Sequence, residues 1–140
     1  MDENRERDIK IAKALDFKVE RGVLYAPRGT LLGGDYYAHA GITNDTPGIE
    51  DKAWEVYTPH FSTSIDDAFW LLAEIRERYG LQYGLFIEND LVYHSCEVGF
   101  WDNEPEHRNE VWSGCEKEPA LAIAKAVEQC EVVMSRIVQR

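Results

Sequence analysis

The stretch from Ser62 to Gly80 constrains the fold more than any other part of the sequence. Ser64 is a favourable helix N-cap, and Gly80 can adopt the left-handed conformation that ends a helix. Between them, apolar residues recur at spacings of three and four, which places them on one helical face: Ile65, Ala68, Phe69, Leu72, Ile75 and Tyr79. The pattern predicts a helix whose apolar face lies on a core.

Length and composition are typical of a single globular domain over residues 1–140. Hydrophobic residues make up 44% of the 140 residues, enough for a core without disulfides or a structural metal. The formal net charge of −11 argues against a protein that binds nucleic-acid polymers or anionic membranes, because lysine and arginine supply the affinity in both cases. A small anionic ligand held by a few arginines remains compatible with this charge.

The sequence predicts a cytoplasmic protein. No apolar run approaches the roughly 20 residues that span a bilayer, and the charged N-terminal sequence lacks the apolar stretch of a signal peptide. Cys96, Cys115 and Cys130 are odd in number and unremarkably spaced, so we expect reduced thiols.

The order of patterns along the chain predicts an α+β fold. An antiparallel sheet, built from an N-terminal hairpin and a C-terminal three-strand meander, is layered with about three helices as an α/β/α sandwich. The meander strands are expected near residues 82–88, 91–101 and 111–115, and the hairpin in 17–26. Helices are expected in residues 2–16, in the central stretch, and from Pro119 to about Ile137.

Residues 31–60 read as a long loop rich in aromatic residues and glycine, without regular structure. Aromatic faces stack on planar bases and arginine neutralises phosphate, so this loop and its edges are the candidate ligand-binding site. The candidate residues are Arg28, Tyr36, Tyr37, His39 and Trp54. The alternative is that the aromatic residues anchor the loop to the core or to a second subunit.

Two other groups of residues were weighed as chemical sites. His94 and Cys96 leave the same face of a strand, which suits a nucleophilic pair or two metal ligands, but packing is the favoured interpretation. The acidic segment 102–107 lacks the order of a calcium-binding loop and reads as a solvated loop. The sequence therefore predicts no catalytic residues, no metal site and no cofactor.

Three segments resemble the phage ABA-sandwich family of small phage proteins. They are RDIKIAKALDFKV near the N-terminus, FSTSIDDAFWLLAEI in the centre and EPALAIAKAVEQC near the end, together roughly half of the chain. The resemblance implies a sheet between helical layers and a phage origin, and it implies no activity or catalytic residue. Length and acidic, aromatic character are also compatible with small phage-encoded proteins that sequester nucleotide immune signals.

These observations predict a non-catalytic, phage-encoded accessory protein that sequesters a host factor or a small nucleotide signal, as a homo-oligomer. The alternative is a protein-interaction or structural module with no small ligand. A small enzyme using His94 or His39 with a carboxylate is a third hypothesis. Phe100, Trp101 and Trp112 form a second aromatic group, which suits either the core or an interface between protomers.

Overall fold

The computed structural model describes residues 2–27, 48–88, 92–101 and 110–138. Within them, five helices and two antiparallel sheets, of two and three strands, give the α+β class that the sequence predicts. The chain forms two compact units, Met1–Pro59 and His60–Arg140. The predicted hairpin is the sheet of the first unit, and the predicted meander is the sheet of the second.

The first unit contains helix α1 (Glu3–Ala14), strands β1 (Lys18–Glu20) and β2 (Val23–Tyr25), and helix α2 (Ile49–Tyr57). β1 and β2 form the predicted hairpin, in which Val19 lies opposite Leu24. Arg21 and Gly22 make its turn and both have positive φ, as a two-residue turn between right-twisted strands requires.

Arg5 ties α1 to the end of α2. Its guanidinium donates hydrogen bonds to the carbonyl oxygens of Glu55 at 2.7 Å, Thr58 at 2.9 Å and Pro59 at 3.3 Å. It also pairs with the fully buried carboxylate of Asp8 at 2.9 Å. A cation at a helix C-terminus satisfies carbonyls that have no partner within the helix, and it offsets the negative end of the dipole.

Helix α2 corrects one expectation. Residues 31–60 were expected to lack regular structure, and this is wrong for Ile49–Tyr57. The helix follows Gly48, which has φ +73° and supplies no side-chain cap, so the acidic Glu50 and Asp51 of its first turn mark its start without a capping residue. Only Ile49 and Ala53 of this helix are buried, so its apolar pattern is short. Residues 28–47 lie outside the described residues.

The second unit contains the other three helices and the larger sheet. Its elements are helix α3 (Ile65–Tyr79), strands β3 (Gln82–Glu88), β4 (Tyr93–Gly99) and β5 (Val111–Glu116), and helices α4 (Pro119–Gln129) and α5 (Glu131–Val138).

The ends of α3 are those that the sequence predicts. Ser64 Oγ accepts a hydrogen bond from the amide of Asp67 at 3.4 Å, and Gly80 ends the helix with φ +71°. The carboxylate of Asp67 accepts from the amide of His60 at 2.7 Å, outside the reciprocal pattern of a capping box.

The three-stranded sheet has the order β3-β4-β5, so β4 is central and β3 and β5 are its edges. Leu85 lies opposite Cys96, and Cys96 lies opposite Gly114, which places these three residues in one row on one face. Helix α4 packs on this face over β4 and β5. A Cβ on Gly114 would clash with the carbonyl oxygen of Ala122, so glycine is what allows α4 to approach so closely.

The C-terminal helical region is broken in two, where the sequence predicts one helix. At Cys130 the backbone is extended, with φ −74° and ψ 108°, which ends α4. Helix α5 then packs against α3 and α4 and leaves Cys130 and Val133 fully buried. Neither glycine nor proline marks the break, so it follows from packing rather than from local sequence.

Candidate functional site

One cavity of the second unit lies beside strand β3. It has a volume of about 320 Å³ and is lined by the first turns of α3 and α4 together with β3 and the start of β4. The described residues that line it are Ile65, Phe69, Leu85, Phe86, Ile87, His94, Ser95, Pro119, Ala122 and Ile123.

Strand β3 contributes apolar side chains because none of the described helices packs over its inner row. Leu85 and Ile87 share a sheet face with Cys96, yet their exposed fractions are 44% and 58%, whereas Cys96 is fully buried. The reason is the placement of α4, which packs on β4 and β5. The inner row of β3 therefore faces the cavity instead of a helix.

Helix α3 supplies the opposite wall. Ile65 and Phe69 belong to the stripe that the sequence assigns to the core, but they are 38% and 46% exposed. Leu72 and Ile75, one and two turns further along, are fully buried as predicted. The core prediction is therefore correct for Ala68, Leu72 and Ile75, and wrong for Ile65 and Phe69, which line the cavity.

The chemistry of this cavity is that of an apolar binding site. Apart from His94 and Ser95, its described lining is hydrophobic, and it contains no lysine, arginine, aspartate or glutamate. A phosphate would therefore find no cation in this lining. The carboxylate opposite His94 in the sheet, Glu116, does not line the cavity and pairs with Lys125. Such a cavity suits apolar side chains or an apolar ligand group.

Among the described residues, no strand pairs with the outer edge of β3. In this described part of the chain β3 pairs with β4 alone, so its other edge presents backbone donors and acceptors. Phe86, on the face away from α4, is 48% exposed. Natural edge strands are usually protected by lysine, proline or a bulge, and the sequence of β3 contains neither residue type.

We use the name β3 surface for the open edge of Gln82–Glu88 together with Ile65 and Phe69 of α3. A second cavity, of about 370 Å³, adjoins one end of it and is lined by Arg76, Gln82 and Tyr83. Gln82 is held in place because its side-chain oxygen accepts from the amide of Trp101 at 3.0 Å. The β3 surface thus has an apolar centre and a cation at one end.

The pair His94 and Cys96 does not have the properties of a nucleophilic site. Cys96 is fully buried, and burial, with a smaller contribution from Glu97, raises the pKa of its thiol to about 12. The thiolate is the reactive form, so this cysteine is inert at neutral pH. His94 lies opposite Ile87 and Glu116 in the sheet.

No group of three or more histidine, cysteine, aspartate or glutamate side chains has the arrangement of a metal site within the described part of the chain. The acidic segment 102–107, weighed above as a cation site, lies outside the described residues.

Of the five predicted ligand-binding residues, Arg28, Tyr36, Tyr37 and His39 lie outside the described residues. Trp54 lies on α2 in the first unit and is half-buried. The Nζ atom of Lys13 lies 5.1 Å from the centroid of its ring, within cation–π distance. One face of Trp54 is therefore covered from within its own unit.

The three residues of the second aromatic group differ in how deeply they are buried. Phe100 is buried, Trp112 is half-buried on the face that α4 covers, and Trp101 is 44% exposed. Phe100 is thus a core residue. Trp101 lies on the surface, next to Gln82 at the start of β3.

No motif in the sequence directly indicates the β3 surface. The sequence correctly places Tyr83, Leu85 and Ile87 on one face of a strand, but periodicity cannot tell whether a helix covers that face. The composition of residues 82–88 is the one feature that could have indicated an exposed apolar strand. These residues are apolar on both faces of the strand and carry a single charge, at Glu88.

Comparison with protein-family models, with curated proteins and with solved structures gave no match. The resemblance to the phage ABA-sandwich family therefore stays a prediction. None of the helices in the described part of the chain is long and apolar enough to cross a membrane.

Proposed function

We propose that this protein is a non-catalytic binding protein that acts through protein–protein interaction. The β3 surface binds an extended, apolar polypeptide segment. The segment adds to the sheet as a further strand, and its alternate side chains enter the cavity between α3 and β3.

One observation carries this proposal: the exposed inner row of β3 lies next to an open strand edge. An open edge supplies main-chain hydrogen bonds, which give affinity for any extended chain. Leu85 and Ile87 point toward the same face as the cavity, so side chains at every second position of the partner meet apolar surroundings. A strand edge and an apolar cavity together favour a polypeptide over a small polar ligand.

Three observations support binding without catalysis in a reducing cytoplasm. The cavity lining pairs no carboxylate with His94 among the described residues. Burial keeps Cys96 protonated. Cys96, Cys115 and Cys130 are free thiols, as expected for a cytoplasmic protein.

The proposal corresponds to the protein-interaction alternative drawn from the sequence, with a host protein as a possible class of partner. Phage origin and sequestration of a nucleotide signal stay predictions. The described residue that would carry nucleotide stacking, Trp54, already has Lys13 over one face of its ring.

The test is a selection of random peptides, about a dozen residues long, against the purified protein. Enriched peptides should alternate apolar residues. Phe69→Asp should weaken their binding about tenfold or more, as expected for loss of an apolar anchor. Val56→Asp is the matched control, because Val56 and Phe69 are both 46% exposed and Val56 lies in the first unit.

Peptide binding that Phe69→Asp leaves unchanged would contradict the proposal, as would a selection that enriches no peptide. A thermal-shift screen against linear and cyclic nucleotides provides the competing outcome. A shift of several degrees with a nucleotide, retained in Phe69→Asp, would favour the nucleotide hypothesis instead.

A further inference from the structure

We infer that the partner of the β3 surface is a second copy of this chain, with β3 of each copy paired antiparallel about a two-fold axis at Leu85. The inference rests on the proposed function, because it names the polypeptide that occupies the same surface. The two three-stranded sheets would then join into one sheet of six strands, with no open edge at either β3.

The sequence of β3 is complementary to itself in this register. The register centred on Leu85 is the one that pairs all seven residues of the strand and keeps the inner rows of both copies on one face. Gly84 then lies opposite Phe86, so the smallest residue meets the largest. Tyr83 lies opposite Ile87, an aromatic and β-branched pair of the kind that stabilises sheets.

This register places no like charges directly opposite each other. Each copy carries a net charge of −11, so association must overcome long-range repulsion. The single acidic residue of β3, Glu88, is placed opposite the uncharged Gln82 of the other copy. Neither end of the paired strands therefore places two acidic residues opposite each other.

The apolar area matches a small, weakly associating dimer. Six large side chains of the β3 surface are 38–58% exposed: Ile65, Phe69, Tyr83, Leu85, Phe86 and Ile87. With about 200 Å² for each whole side chain, they expose about 550 Å² per copy. Complete burial of these side chains in two copies would remove at most about 1,100 Å² from solvent, which is the range of weak, transient interfaces. We therefore expect a reversible dimer.

The other edge of the same sheet is a poorer candidate. In strand β5, Val111 is exposed and Trp112 is half-buried. The residues after them, Ser113, Gly114 and Cys115, are small, so the rest of the strand offers little apolar surface. The cavity lining includes residues from α3, β3, β4 and α4, and none from β5. Self-association is therefore expected at β3, and β5 provides the control.

The experiment is sedimentation equilibrium from low micromolar to several hundred micromolar protein. The wild-type protein should show a concentration-dependent dimer. Leu85→Lys and Leu85→Glu should each be monomeric, because like charges would face each other across the axis. Val111→Lys is the matched control, since Val111 is 41% exposed against 44% for Leu85, and it should dimerise like the wild type.

The register is tested by mixing the two charged variants. Because Leu85 faces Leu85 across the axis, an equimolar mixture of Leu85→Lys and Leu85→Glu should form a heterodimer. Circular dichroism checks that each variant is folded, and Ile87→Lys is a second disrupting variant at a 58% exposed position, should either Leu85 variant fail to fold.

A wild-type protein that stays monomeric over the whole range overturns the inference. So does a dimer that Leu85→Lys and Ile87→Lys leave intact. A heterodimer that does not form on mixing overturns the register centred on Leu85. Failure of this inference can be distinguished from failure of the proposed function. If the protein is monomeric but still binds selected peptides, and Phe69→Asp weakens that binding, the β3 surface is a binding site for a different partner.

Discussion

Gly114 offers the most direct test of how helix α4 is placed against the sheet. A Cβ at this position would clash with the carbonyl oxygen of Ala122 and would lie 2.7 Å from the amide nitrogen of Ala126. Both are backbone atoms of α4, so no side-chain rotation can relieve the contact. Ordinary contact needs about 3.5 Å, and Gly114→Ala must therefore displace α4 by about 1 Å.

The magnitude follows from two opposing contributions. Forcing extra volume into a packed interface costs about 2 to 3 kcal/mol when backbone must move. Alanine also restricts the unfolded chain, which stabilises the folded state by about 0.5 to 1 kcal/mol. Gly114→Ala should therefore lower the free energy of unfolding by about 1 to 2 kcal/mol.

Gly84→Ala is the matched control, since Gly84 lies in the same sheet and also has no positive φ. The added Cβ would meet the ring of Phe86 at 3.0 Å, and this half-exposed side chain can rotate away. Stability should be unchanged or rise by up to about 1 kcal/mol. Urea unfolding at low protein concentration, where association contributes nothing, measures both variants. Equal stabilities of the two variants would refute the packing argument.

Three further predictions concern stability. Arg5→Met removes the ion pair with the buried carboxylate of Asp8 and should cost about 3 kcal/mol in urea unfolding. Part of this loss should be regained in Arg5→Met/Asp8→Asn, and equal loss in both variants would contradict the argument. Thr58→Val should raise the free energy of unfolding by about 0.5 to 1 kcal/mol, because the buried Oγ1 has no hydrogen-bond partner among the described residues. A loss of stability would instead show that Thr58 Oγ1 has a hydrogen-bond partner. The pKa of Cys96 is raised from 9.0 to about 12, so the unfolded thiol ionises first and stability should fall as pH rises through that interval. Cys96→Ala should remove this part of the pH dependence, and an unchanged profile would exclude Cys96 as its source.

Local signals in the sequence predict elements whose ends are chemically marked. Helix α3 is an example, because Ser64 caps its start and Gly80 ends it. The hairpin of the first unit is another, since Arg21 and Gly22 form its turn. In such segments, residues that are neighbours in the sequence determine where an element begins and ends, so its bounds can be predicted without knowing how it packs.

Packing determines the elements that the sequence did not predict. Helix α2 begins at Gly48 without a side-chain cap, so its start resembles a turn. The break at Cys130 interrupts a continuous apolar stripe, and it becomes intelligible only from the burial of Cys130 and Val133.

The β3 surface was not predicted for a related reason. Apolar periodicity correctly assigned Phe69 to the apolar face of a helix and Leu85 to one face of a strand. Whether such a face is buried depends on where other elements lie, and α4 packs over β4 and β5 instead of β3. The site therefore depends on helix placement, which no local pattern in the sequence reports.

Hydrogen–deuterium exchange of β3 tests the central claim most directly, because the claim depends on an open strand edge. In dilute protein, amides of Gln82–Glu88 should exchange faster than those of the central strand β4. Their exchange should slow as protein concentration rises or when a selected peptide is added, while exchange in β5 stays unchanged. If β3 is as protected as β4 in dilute protein, its edge is already covered, and the β3 surface is not a free binding site.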